Sequence, residues 1–184
     1  YNAWDAGSAA AITRAGAKAI ASSSWAVAAT QGFGDGQDLP LEDALAICHR
    51  MVSATDLPVT VDFEGGYGIE PESVSRNATR PLATCAVAIN FEDSVIGKGR
   101  LYEIKTQCER IAAVRAAADA AGIPLFINAR TDCFIPGRRD GTPEDLLADA
   151  LERAAAYREA GASGIFVPLL VDEALIERFV AACE

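Results

Sequence analysis

The sequence predicts an α/β fold of the (β/α)8 TIM-type barrel, with about six of the eight βα units inside its 184 residues. Three observations predict it. Apolar strand patterns alternate with helical ones six times along the chain, an order that demands parallel strands with helices outside. A helix, a Gly-Ala pair and a short apolar strand recur as one unit, in AGAKAIA near residue 18 and in AGASGIF near residue 162. The polar clusters at Asp5, Ser23, Asp62 with Glu64, Glu92 and Arg130 all fall where a strand gives way to a loop. A barrel collects ligand groups around one rim in this way, whereas a doubly wound sheet collects them at one crevice. Six strands cannot close that barrel, so a single domain over residues 1–184 is expected, truncated at both ends.

Residues 1–5 read as the tail of a strand, and the Ala-rich run 6–15 as the first helix, ended by Gly16. Residues 18–21 (KAIA) give a short strand leading into Ser22, Ser23, Ser24 and Trp25. Small residues at such a joint leave backbone N–H groups free for an anion; a plain serine-rich turn explains them equally well. Residues 31–40 form a loop that holds Asp35 between two glycines. Over residues 41–54, Leu41, Ala44, Leu45, Cys48, Met51 and Val52 have helical spacing, and His49 beside them reads as a surface or packing histidine.

The chain is organised around residues 58–68, PVTVDFEGGYG. Its β-branched start suits a strand buried on both faces. Its end carries Asp62 and Glu64, then Gly65, Gly66 and Gly68, a hard-oxygen pattern suited to Mg2+ where glycines allow close approach. An acidic strand end before a tight turn is the plainer reading of those residues by themselves. Residues 71–84 form a helix that Pro81 is expected to shorten, and residues 86–91 (AVAINF) a strand ending in Glu92 and Asp93. Residues 94–100 (SVIGKGR) are a glycine-rich loop around Lys98, suited to a mobile lid, before a long helix over 101–121. The strand 125–128 leads into Arg130, which either clamps a carboxylate or pairs internally with Glu92 or Asp62. A loop over 134–142, a helix over 143–160, a strand over 164–167 and a helix over 171–183 follow.

Composition narrows the function. A formal net charge of −10 argues against nucleic-acid and anionic-membrane partners, which require clustered Lys and Arg. Five scattered cysteines without a CxxC fit a reducing cytoplasm, and a single histidine cannot build a His-rich metal site. No apolar run reaches membrane length.

Together, NAWDAGSA, the serine turn before GDG, VDFEGGYG, INFEDS and INARTD resemble the isocitrate lyase and phosphoenolpyruvate mutase superfamily along the whole sequence. The resemblance implies a (β/α)8 barrel, Mg2+, a 2-oxo acid or enolate as substrate or intermediate, and a homotetramer. It implies Asp62 as the main metal carboxylate, with Glu64 and Glu92 acting directly or through water. Ser23 with the backbone of Ser24 and Trp25 would bind the substrate carboxylate or oxyanion, Asp62 would serve substrate as well as metal, Asp35 would lie near the reacting group, and Arg130 would clamp the substrate.

The loop after the fourth strand departs from the family pattern. Its EDSVIGKGRLYEI keeps Lys98 at the spacing of the family's loop lysine but has no Lys-Lys/Arg-Cys-Gly-His run. That speaks against isocitrate or methylisocitrate cleavage by the usual route. The mutase pattern EDKxFPKT/S is not matched either, because Ser94 replaces a lysine and Gly97 a proline, and Pro168 stands where mutase-like members have a histidine. The expectation is a Mg2+-dependent lyase acting on a small 2-oxo acid such as oxaloacetate. The alternatives are a 2-oxo-acid-binding protein with little turnover and a C–P bond mutase or hydrolase.

Overall fold

Six parallel strands hydrogen-bond in the order in which they occur: β1 (Asn2–Ala3), β2 (Ile20–Ser22), β3 (Val59–Asp62), β4 (Ala88–Glu92), β7 (Phe126–Arg130) and β8 (Gly164–Phe166). The protein was analysed as a computed structural model that describes residues 2–183, so Tyr1 of the expected first strand lies outside the described residues. A doubly wound sheet would reverse its strand order at a switch point; here each strand adds to the same side of the last, as the staves of a barrel do. β5 (Ser94–Val95) and β6 (Arg100–Leu101) form a separate antiparallel hairpin.

The helices α1 (Ala6–Arg14), α2 (Ser24–Thr30), α3 (Leu41–Val52), α4 (Pro71–Ala83), α5 (Ile104–Ala120), α6 (Pro143–Glu159) and α7 (Glu173–Cys183) lie between the strands in sequence. Local chemistry sets several of their starts. Asp5 and Thr142 close reciprocal capping boxes with Ser8 and Asp145, and Ser23 caps α2 by accepting the Ala26 N–H. Apolar residues of the strands pack against the helices in three clusters, the largest joining Phe63, Ile89, Phe91 and Ile127 to Ile111, Val114 and Tyr157.

Four expectations about elements are corrected. α4 runs through Pro81, where only two helical residues remain, so the missing N–H and the ring disturb little of the helix. The 94–100 loop is a hairpin rather than irregular chain, and α5 begins at Ile104 rather than at residue 101. β7 extends to Arg130, because pairing with β4 continues through Glu92↔Arg130.

The β4–β7 register places each residue opposite one 38 positions later, as in Asn90↔Asn128. That one offset puts Glu92 beside Arg130 and brings Ser94 to Asp132. The strand ends therefore converge on one rim.

Candidate functional site

A cavity of about 480 Å3 opens at this rim, lined by Ser24, Asp35, Gly36, Glu64, Glu92, Ile96, Gly97, Arg130, Asp132, Ile135 and Arg138. The residues come from successive strand ends and their loops. A much smaller pocket of about 20 Å3, near the size that admits one water, adjoins it through Ser24 and Glu64 and contains Asp62.

Asp62 is held by its neighbours on one side. Its Oδ2 accepts hydrogen bonds from the Ser24 N–H at 3.0 Å and the Ser24 hydroxyl at 2.7 Å, and its own N–H donates to Ser22 Oγ at 2.8 Å. Its Oδ1 is buried without a partner among the described residues. Glu64 accepts from the Gln37 N–H at 2.7 Å and from the Tyr67 hydroxyl at 3.1 Å. Burial pushes the Glu64 carboxyl up to about 7 despite these bonds, with Asp62 and Asp35 adding repulsion. Burial likewise pushes Glu92 up to about 8; Arg130 opposes that rise and the carboxylates of Asp132, Asp62 and Glu64 reinforce it.

Backbone strain accompanies this acidic turn. Glu64 and Tyr67 hold φ of 48° and 52°, a region that side chains disfavour, and Gly66 between them has φ of 78°. A Cβ at Gly66 would meet Phe91 and Val74 at 2.9 Å, so the glycine is required twice over. Arg110 of α5 secures the turn: its guanidinium donates to the carbonyls of Gly65 and Gly68 and stacks over Tyr102 at 4.1 Å. Gln107, one turn earlier, donates to the Glu92 carbonyl at 3.1 Å. Thus α5 pins both acid-bearing strand ends.

Arg130 pairs internally, but its partners are Glu92 at 3.2 Å and Asp132 at 2.6 Å rather than Asp62. Its hydrogen bonds use two of its five N–H groups, both to Asp132, and each terminal nitrogen keeps at least one N–H without a hydrogen bond among the described residues. Asp132 is itself fixed by the Ser94 hydroxyl and by its N–H donating to Asp93.

The structure gathers Ser24, Asp35, Glu64, Glu92 and Arg130 around one cavity, with Asp62 in the adjoining pocket, but several side chains are engaged differently from expectation. Ser23 spends its hydroxyl capping α2, and Ser24 commits its N–H and hydroxyl to Asp62, so the expected anion cradle is partly filled from within. The Trp25 ring is 65% exposed. Lys98 sits exposed at the hairpin tip while its neighbours Ile96 and Gly97 line the cavity.

Among the described residues, no group of three or more His, Cys, Asp or Glu side chains is assembled to hold a metal ion. The donor set nevertheless suits a hydrated Mg2+, which binds through one or two carboxylates and keeps several waters. Asp62 offers a buried, unpartnered oxygen, and Glu64 and Glu92 bear charge that burial disfavours and a cation would favour.

Tyr67, Gln107, Arg110, Asp132 and Arg138 join the site without having been singled out in the sequence. Asp132 had a signal, since it closes the ARTD run; the others come from helices and loops whose periodicity says nothing about a rim.

The fold and rim define a β/α-barrel protein whose cavity combines carboxyl groups with an arginine held between Glu92 and Asp132. The chain belongs to the phosphoenolpyruvate phosphomutase family, whose model matches residues 1–184, and so to the isocitrate lyase and phosphoenolpyruvate mutase superfamily. It is 31% identical over 176 residues to 2-methylisocitrate lyase of Escherichia coli (strain K12), covering 93% of this chain and 57% of that protein. A Burkholderia cenocepacia J2315 protein provisionally named a phosphonomutase is 48% identical with a TM-score of 0.94, covering 98% of this chain and 73% of that one. A phosphonopyruvate hydrolase in complex with oxalate and Mg2+ is 26% identical with a TM-score of 0.86, over 98% and 61% of the two chains. This chain therefore spans little more than half the length of the curated relatives it matches. The matched relatives are named as lyases, mutases and hydrolases.

Proposed function

We propose that this protein is a Mg2+-dependent lyase of a small 2-oxo acid, working by C–C cleavage or decarboxylation through an enolate. The observation that carries the reading is the unpartnered Oδ1 of Asp62 beside Glu64, Glu92 and Arg130 at adjoining strand ends. The oxalate and Mg2+ in a related hydrolase support it, because oxalate resembles a planar enolate of a 2-oxo acid. Asp62 would hold the ion, with Glu64 and Glu92 as carboxylate or water-mediated partners. When bound, Mg2+ supplies electrophilic stabilisation of the negative charge that grows on the keto oxygen.

The chain's own residues do the rest. Arg130, braced by Glu92 and Asp132, directs its remaining N–H groups to the substrate carboxylate. Ser24 keeps Asp62 oriented, and Ser23 and Trp25 shape the start of α2 beside the substrate. Asp35 lies near the reacting group at the cavity wall. In oxaloacetate the bond between C3 and the distal carboxylate breaks, its electron pair passes into the enolate, CO2 leaves and water returns the proton at C3.

A binding protein with little turnover is the second reading, favoured by the outward position of Lys98. A C–P mutase or hydrolase is the third, supported by the family match. The test is a panel of oxaloacetate, phosphonopyruvate, 2-methylisocitrate and 2-oxoglutarate with Mg2+ and with EDTA, followed by NMR for product and calorimetry for binding. Metal-dependent conversion establishes the reaction and its bond; binding without product selects the second reading; silence throughout removes all three. Under the lyase reading Lys98, exposed at the tip of the β5–β6 hairpin, is the lid residue, so Lys98→Ala is expected to abolish turnover while leaving affinity nearly intact, and unchanged turnover would remove Lys98 from the mechanism.

The same reading places the protein in the cytoplasm as a homotetramer, with no nucleic-acid or membrane partner. Five free cysteines support the compartment, and no helix of the described residues is long and apolar enough to cross a membrane.

A further inference from the structure

The cavity carries two arginines with opposite circumstances. Arg130 is compensated by Glu92 and Asp132, whereas Arg138 makes no side-chain hydrogen bond or ion pair with any described residue. Its sequence neighbour Arg139 does find a partner, Asp149 at 2.8 Å, and that contact is turned away from the cavity.

The loop places Arg138 deliberately. Two successive turns, closed by the Ile135 N–H donating to the Asp132 carbonyl at 3.0 Å and the Arg138 N–H to the Ile135 carbonyl at 3.1 Å, fold the chain back over the cavity that Asp132 lines. The loop base is tied down where Asp149 accepts from Arg139 and Arg153. Arg138 is partly buried at the cavity wall and its side chain finds no partner among the described residues. A ligand anion would supply one, and the planar fork of arginine matches a carboxylate or phosphonate.

We propose that Arg138 is a specificity residue that seats the second anionic group of the substrate, remote from the carboxylate held by Arg130. The inference rests on the oxo-acid reading above. Charge gives it force: Glu92 and Asp132 are matched to Arg130, which leaves Arg138 as the cavity cation without an acidic partner among the described residues, open to a second anionic group. The volume agrees, since about 480 Å3 exceeds what a three-carbon acid fills.

The test measures binding rather than turnover. Pyruvate, oxaloacetate and phosphonopyruvate are titrated in the cold with Mg2+ against wild type, Arg138→Gln, Arg138→Lys and Arg139→Gln, by saturation-transfer NMR. Melting curves check that each variant is folded. The expected result is that Arg138→Gln lowers affinity for the dianions relative to pyruvate by about tenfold, the scale of one charged hydrogen bond. Arg138→Lys recovers part of the ratio, and Arg139→Gln leaves it unchanged.

A fall for oxaloacetate alone identifies a dicarboxylate, a fall for phosphonopyruvate alone a phosphonate, and a fall for both the shared dianion chemistry. A ratio unchanged in Arg138→Gln, or lowered equally in Arg139→Gln, overturns the role of Arg138 while the oxo-acid reading stands. Failure of wild type to bind any of the three overturns both.

Discussion

Glu92 and Asp93 are adjacent acids at the end of one strand, yet they build opposite kinds of cluster. Glu92 meets Arg130 at the wall of an open cavity, with at least one N–H on each terminal nitrogen of that arginine left over. Asp93 points behind the strand, where Arg153 donates at 3.1 Å and the Tyr157 hydroxyl at 2.7 Å in a pair almost closed to solvent. The cluster behind is closed off from solvent, and Arg153 also reaches the Tyr102 carbonyl and Asp149. Asp132 links the two, its N–H on Asp93 and its carboxylate on Arg130. The difference teaches that an ion cluster enclosed behind the sheet makes scaffold, while one that faces an open cavity keeps capacity for a ligand.

The strongest way to break the comparison is Arg153→Met, which strands Asp93 as an uncompensated buried charge. A loss of about 3–5 kcal/mol is expected in urea unfolding, the usual cost of breaking one side of a buried pair. A loss below about 1 kcal/mol would show that the closed cluster is not a scaffold.

On the open side the effect should fall on binding instead. Asp62→Ala is expected to weaken Mg2+-dependent oxo-acid binding by about 100-fold, comparable to losing a group that orients a metal site. The metal-free protein should melt only modestly lower, because the two bonds that Oδ2 accepts from Ser24 are lost while Oδ1 makes none. Unchanged binding by calorimetry would refute the metal assignment.

The pH dependence sharpens the contrast. In the metal-free protein Glu64 and Glu92 hold their protons up to about 7 and 8, above the carboxylate range of the unfolded chain. The folded state therefore binds more protons than the unfolded one, and its stability falls as pH rises from the unfolded carboxylate range through those folded values. Mg2+ should oppose that fall, raising the melting temperature more at about pH 8 than at about pH 6. An equal rise at both would separate these carboxylates from the metal.

The smallest effect belongs to the surface. Arg80 pairs with Glu42 in the open, and this contact holds the Glu42 carboxyl below its usual range. Arg80→Ala should leave the melting temperature unchanged within error, as exposed pairs contribute little against side-chain entropy and screening. A clear drop would mean that the pair orients α3 against α4.

Much of the scaffold was legible because its signals are local. Alternation of strand and helix, the β-branched VTV run and the joint Gly-Ala-X all depend on neighbours in sequence, as does the acid-glycine turn from Asp62 to Gly68. Even Glu92 beside Arg130 was foreseeable as one of two pairings. The helix through Pro81 and the hairpin around Lys98 were not, because contacts elsewhere decide whether a proline or glycine ends an element.

By itself, then, the sequence determined six strands with helices between them, and acids, serines and an arginine delivered to the strand ends. Only the tertiary structure decided which of those groups are spent on one another. Ser24 turned to Asp62 across 38 residues, Glu92 matched to Arg130, and Arg138 left unpaired are consequences of strand register and loop closure. Periodicity records which face of an element is buried; it carries no information about the partner that a polar side chain finds on the next stave.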